Sequence, residues 1–199
     1  MAEDISEKTE HGGHDSIAEV YDNQKKGWYM NRLKVVPRKV SELTGKERPS
    51  VLEMGCGTGL VLSWFEGKKT GVDCSAGMIE VAKRQRPDAK YAVSDVRSFR
   101  TREKFDAVVM VDLIEFIEDL SFLSGARGML ADGGVLFIAN ASPKLRPAVW
   151  LLDKMKRKLP TGKWLWRKPQ EITAAMEAAG FRNVCSESRF PHVYYWGFE

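Results

Sequence analysis

The run Val51-Leu52-Glu53-Met54-Gly55-Cys56-Gly57-Thr58-Gly59 constrains this chain more than any other segment, because a short strand pattern runs straight into three alternating glycines. Glycine carries no side chain to block a ligand and tolerates positive φ, so backbone N–H groups at such a loop can approach a bound anion or nucleotide closely. The next strand pattern ends on an acid, Asp73, which lies 18 positions after Gly55. That is near the spacing of about 20 at which an acid ending the second strand accepts hydrogen bonds from ribose hydroxyls. Strand, glycine loop and distal acid together describe a nucleotide-binding corner.

The rest of the chain supplies a sheet to hold that corner. After Pro49 short apolar runs alternate with helical patterns, which favours a parallel sheet with helices on both faces. Strands are expected near 50–54, 69–73, 89–93, 105–111 and 133–139, with helices at about 58–66, 75–85 and 115–130. The runs Ala107-Val108-Val109-Met110-Val111 and Val135-Leu136-Phe137-Ile138-Ala139 are continuously apolar, as in strands covered on both faces. They belong in the middle of the sheet. Pro169 opens a further helix that Gly180 stops, and Phe181–Ser186 and Phe190–Phe198 read as two final strands.

At the N-terminus, residues 1–15 are polar and acidic with no periodic face and read as a flexible tail ahead of one domain over 16–199. Residues 16–48 turn helical. Ile17, Val20 and Tyr21 share one face, and a second stretch from Trp28 to Leu43 presents Trp28, Leu33, Val36 and Val40. These helices precede the corner and can cover it. Neither a secretory signal nor an apolar run of roughly 20 residues is visible, so a cytoplasmic protein is expected. The three cysteines, Cys56, Cys74 and Cys185, suit neither a disulfide framework nor a zinc site and are expected to be reduced and packed. His11 and His14 make an incomplete metal site in the tail, and no resident metal is expected.

The glycine spacing distinguishes between nucleotides. A dinucleotide fingerprint places its third glycine at the sixth position of the motif, which here is Leu60. With Glu53 in front, the run is instead E-x-G-x-G-x-G, and it resembles the first motif of the class I S-adenosylmethionine-dependent methyltransferases. The likeness continues through Gly71-Val72-Asp73-Cys74-Ser75-Ala76-Gly77-Met78, Val93-Ser94-Asp95-Val96, Phe105-Asp106-Ala107-Val108-Val109, Leu130-Ala131-Asp132-Gly133-Gly134 and Ala178-Ala179-Gly180-Phe181. It covers about residues 16–186. The resemblance implies an α/β fold with a Rossmann-like seven-stranded sheet, mostly parallel with the last strand antiparallel, and helices on both faces. An N-terminal helical cover and a lid insertion after strand 5, over 142–168, complete it.

The same resemblance implies roles around an S-adenosylmethionine molecule. Glu53 would shape the first loop and meet the methionine portion, with Gly55, Gly57 and Gly59 allowing close approach and Cys56 and Cys74 as small neighbours. Asp73 would bind the ribose hydroxyls, Met78 would pack near the adenine, and Asp95 with the Val96 N–H would meet the adenine edge. Tyr21, in a segment similar to the family's Tyr-Asp helix end, would close over the cofactor, and Asp112 would border it. Plainer readings stand beside these: Met78 and Tyr21 as core, Asp95 as a turn residue.

Catalysis leaves a fainter trace, because a methyl on a sulfonium is already activated and in-line alignment of the acceptor can suffice. Asp112-Leu113-Ile114-Glu115-Phe116 follows the fourth strand and lacks the (Asp or Asn)-Pro-Pro-aromatic motif of nucleic-acid amino methyltransferases. A small or lipophilic acceptor is therefore favoured over nucleic acid. Small-molecule members, the quinone-biosynthesis methyltransferases among them, often carry Glu-His where this chain has Glu115-Phe116. Asp112, Glu115 and His192 are the candidate catalytic groups, against helix capping, surface charge and a half-exposed strand histidine. A catalytically silent S-adenosylmethionine-binding subunit and, less strongly, an NAD-dependent oxidoreductase are the rival readings.

Charge singles out one further segment. Between Lys144 and Lys168 lie nine Lys or Arg and a single Asp, together with Trp150, Trp164 and Trp166. Leu151, Leu152 and Met155 follow helical spacing after Pro147. The segment reads as a lid helix, as a basic amphipathic helix making peripheral contact with an anionic membrane, or as a phosphate- or RNA-binding patch.

Overall fold

The computed structural model describes residues 18–24, 28–148 and 165–199. Seven strands form one sheet: β1 (Val51–Met54), β2 (Lys69–Asp73), β3 (Lys90–Val93), β4 (Phe105–Val111), β5 (Leu130–Ala141), β6 (Arg182–Arg189) and β7 (His192–Phe198). Their order is β3-β2-β1-β4-β5-β7-β6. Strands β1 to β5 pair in parallel, and β7 runs antiparallel to both β5 and β6. The expected methyltransferase-type sheet is present, with the last strand antiparallel and β4 at its centre.

The two apolar runs make sense once both faces are considered. Along β4 and β5, Val108, Met110, Leu136 and Ile138 turn to one side, where they meet α5 (Leu123–Arg127) and α6 (Pro169–Ala178) through Leu123, Ala126, Ile172 and Met176. Ala107, Val109, Val135, Phe137 and Ala139 turn to the other, against Val36 and Val40 of α3 (Val35–Thr44). Helices on both faces leave no position of these two runs in water, so alternation disappears from the sequence there. Phe137 also stacks on Tyr194 of β7, with centroids 5.8 Å apart.

Several expected elements are shorter than their sequence patterns. In place of a helix over 58–66 there is a single 3₁₀ turn, Leu62–Trp64, because Gly59 sits at φ +76° and Phe65 is already extended. Too few residues remain between those points for an α-helix to propagate. The helix expected over 115–130 is broken into 3₁₀ turns at Ile114–Phe116 and Leu120–Phe122 and the five-residue α5. Asp119 restarts the chain there by accepting from the Ser121 N–H, and Leu130 already belongs to β5. Lys34 divides the expected 28–43 helix into α2 (Trp28–Leu33) and α3.

Of the cysteines only Cys56 is buried, whereas Cys74 and Cys185 are exposed, contrary to expectation. The tail over 1–15, Ile17 and most of the expected lid, including Trp150 and Trp164, lie outside the described residues.

The sheet order fixes where a ligand can sit. β1 and β4 are neighbours, and the connection leaving β1 runs to β2 on one side while that leaving β4 runs to β5 on the other, which opens a crevice at their C-terminal ends. The glycine loop and Asp112 occupy that position.

Phe137→Ala should destabilise the protein by about 3–5 kcal/mol, because it empties a fully buried site and removes the Tyr194 stack. Urea unfolding measures it; a loss below about 1 kcal/mol would mean that β5 and β7 do not share this core.

Candidate active site

The crevice at the ends of β1 and β4 is a cleft open to solvent, lined by Tyr21, Leu33, Glu53, Gly55, Cys56, Gly57, Thr58, Leu60, Val61, Val111 and Asp112. Its floor is the loop after β1. Gly55 and Cys56 both donate their N–H to the Val72 carbonyl of β2, at 2.7 and 3.0 Å. Gly55, Gly57 and Gly59 all have positive φ, which L side chains rarely adopt. A side chain at Gly57 would point at the Tyr21 ring, 3.9 Å away, into the space between loop and cover.

Asp73, at the end of β2, holds this loop. One carboxylate oxygen accepts from the Gly57 N–H at 2.8 Å and the other from the Ser75 N–H at 2.9 Å. Each oxygen keeps a further lone pair, so the carboxylate can accept additional hydroxyl donors while it braces the loop. Ser75 caps α4 (Ala76–Gln85) by accepting from the Met78 N–H.

Glu53 is the most unusual group here. It is 2% exposed, yet it lies on the cleft wall and its Oε2 has no hydrogen-bond partner among the described residues. Burial raises its carboxyl to about 8, opposed by a hydrogen bond from the Leu62 backbone; Asp73 adds to the rise and Arg86 opposes it. Burial also drives the Cys56 thiol well up, reinforced by Glu53 and Asp73. Cys56 is thereby a protonated, small wall residue rather than a thiolate nucleophile.

The remaining expected site residues are placed as follows. Met78 is buried beneath α1 (Ala18–Gln24) with Ala18 and Val81. Val96 is buried in the core against the α5 and α6 side of the sheet. The Asp95 carboxylate accepts from the Arg97 backbone and guanidinium. Asp112 sits at φ 48°, a left-handed conformation that Asp tolerates better than most side chains, and its N–H donates to the Ala139 carbonyl at 2.9 Å. Such strain at a cleft border belongs to sites held by their surroundings.

Glu115 and His192 depart from their plainer readings. Glu115 is 2% exposed rather than a surface charge, and His192 is fully buried rather than half-exposed. His192 lies on β7 opposite Ala141, its ring 6.1 Å from that of Tyr194. Neither residue lines the cleft described above.

Sequence reasoning missed Asp22, Thr58, Arg86 and Arg167. Thr58 Oγ1 donates to Asp22 at 2.6 Å, and Arg86 bridges the Thr58 carbonyl and the Asp22 carboxylate. Arg167 donates to the carbonyls of Ile114, Ile117 and Glu118, while the Leu165 N–H donates to that of Glu115. The downstream foot of the insertion is thus fastened to the turn that follows β4. Polar contacts between distant segments leave no local spacing to detect.

With this geometry in place, the comparisons with known proteins are informative. Residues 52–138, which hold the glycine loop, Asp73, Asp95 and Asp112, match the family model for a methyltransferase domain. The resemblance to the class I S-adenosylmethionine-dependent methyltransferases read from the sequence motifs is borne out. It is similar to the ubiquinone biosynthesis O-methyltransferase of Brucella melitensis biotype 2, 31% identical over 67% of this chain and 60% of that protein. The counterpart in Pelagibacter ubique is 26% identical over 61% and 57%. The chain spans about three fifths of the length of these curated relatives. Among solved structures, the DhpI-SAM-HEP complex aligns with a TM-score of 0.70 at 22% identity over 94% of each chain. A methyltransferase in complex with the Trm112 activator of Haloferax volcanii aligns with 0.71 at 16%, over 93% and 96%. These structural likenesses concern the fold.

Glu53 sets a pH dependence. Below its ordinary value of 4.5 the carboxyl is protonated folded or unfolded; between there and about 8 only the unfolded chain releases the proton. Stability of the ligand-free protein therefore falls as pH rises through that window. Glu53→Gln should remove this part of the slope, measured as the wild-type minus variant difference in urea unfolding at pH 5, 7 and 8.5. A constant difference would show that Glu53 is not carried neutral.

Proposed function

We propose that this chain binds S-adenosylmethionine in the cleft at the ends of β1 and β4 and transfers its methyl group to a small or lipophilic acceptor. The observation that carries the reading is the pairing of an orphaned, buried Glu53 oxygen with a glycine loop whose Gly57 faces open space bounded by the Tyr21 ring. An anion-binding corner would not place acids on its walls, whereas a ligand bearing ammonium and sulfonium charges is matched by Glu53 and Asp112. When bound, the group supplies an activated methyl on sulfur.

The chain's own residues have the following parts. Asp73 accepts from the ribose hydroxyls while it keeps the Gly57 N–H in place. Glu53 accepts from the ammonium end, Tyr21 covers the loop and excludes water, and Asp112 borders the acceptor side. A small or lipophilic acceptor is supported by the relatives named for ubiquinone biosynthesis and by the apolar Leu33, Leu60, Val61 and Val111 on the cleft walls.

Calorimetry on the whole chain with S-adenosylmethionine, S-adenosylhomocysteine and NAD tests the proposal. Both sulfur nucleotides should bind, and Asp73→Ala should weaken them at least about tenfold, because charge-assisted hydrogen bonds are worth about 1.5–3 kcal/mol each. Binding of NAD but of neither sulfur nucleotide would overturn the reading.

A further inference from the structure

The first helix reaches the cleft in an unusual way. α1 has seven residues, and a helix that short is not stable by itself in water. Its described apolar contacts are confined to Ala18 and Tyr21 against Met78 and Val81. Its outer ion pair, Glu19 with Arg84, is exposed on both sides and contributes little. What distinguishes α1 is Asp22, next to Tyr21. Its carboxylate accepts from Thr58 Oγ1 at 2.6 Å on one oxygen and from Arg86 at 2.5 Å on the other. Arg86 closes the ring by donating to the Thr58 carbonyl at 2.8 Å.

The anchor of this ring is rigid. The Arg86 N–H donates to the Ala82 carbonyl at the end of α4, and its own carbonyl accepts from Tyr91 of β3. Thr58 is 1% exposed and stands between two glycines of the loop. Asp22 and Arg86 are themselves largely enclosed, with side chains 21% and 13% exposed. Breaking such a pair strands a charge away from water, which costs far more than losing a surface pair.

We propose that Asp22 and Arg86 are positioning residues that latch α1 onto the glycine loop, so that Tyr21 closes the cleft and nucleotide leaves only when the latch opens. The inference rests on the cofactor reading above. Because Thr58 belongs to the loop that carries the nucleotide, loop and latch are coupled: a ligand that orders the loop strengthens the latch, and the closed latch slows the ligand's escape by the same linkage. The latch sets residence time; the floor of the cleft, with Asp73 and Glu53, sets recognition.

Stopped-flow displacement of S-adenosylhomocysteine from the full chain tests the latch. Asp22→Asn and Arg86→Gln should each raise the dissociation rate at least about tenfold. The double variant should match either single one, because both remove the same interaction. Glu19→Gln, which breaks only the exposed pair, should leave the rate unchanged. A merely structural role would lower the melting temperature in all carriers without this non-additive pattern. Amide exchange of residues 18–24 in the ligand-free protein gives an independent reading: Asp22→Asn should speed it at least about tenfold while Ile79–Ala82 stay protected. Wild-type dissociation and exchange rates in both single variants would overturn the latch. Failure of the wild-type chain to bind S-adenosylhomocysteine would instead overturn the cofactor reading on which it rests.

Discussion

The loop after β1 holds three glycines in left-handed backbone, and the N–H groups of Gly55, Cys56 and Gly57 all go to β2, so the site depends on how that strand holds the loop. β2 does most of this. Its Val72 carbonyl takes two loop N–H groups, and its last residue, Asp73, takes a third. The parallel pairing of β1 with β2 sets the distance over which these bonds form. Close approach of β2 needs Gly71, where a Cβ would lie 2.7 Å from Cys56 Sγ. The glycine, the small thiol and the terminal acid are therefore one device, and each is intelligible only through the others.

The cleft's electrostatics follow from the same arrangement. A carboxylate at the floor of a loop with few polar neighbours is poorly solvated, and Glu53 responds by holding its proton into the range of neutral pH. Such a group is costly to keep unless a cationic partner arrives. The site thus carries part of its recognition as an unmet demand in the protein itself rather than as a ready-made bond.

How much of this was legible depended on the range of the interaction. Sheet composition was readable because β4 and β5 are buried on both faces and their sequences show it without interruption. The position of the cleft followed from Glu53, the glycines and Asp73, which lie on two consecutive strands and the loop between them. Helix lengths were misread at 58–66 and 115–130, since Gly59 and the Asp119 turn interrupt patterns whose apolar spacing still looks helical. The burial of Glu115 and His192 could not be seen, because it is produced by segments far away in sequence. Asp22 and Arg86 are separated by 64 positions and Arg167 by about 50 from its carbonyls. No window along the chain contains both halves of either contact.

The Arg167 contact has a consequence for how the turn after β4 is held. The foot of the insertion is fastened to backbone carbonyls of 114–118, and Glu115 lies within that turn. Carbonyl acceptors are indifferent to side-chain identity, so the joint itself places no demand on the side chains of the turn; burial of Ile114, Glu115 and Ile117 does. The described foot of the insertion is therefore tied to the backbone path of the turn rather than to its sequence, and the glycine loop is held by a separate set of bonds.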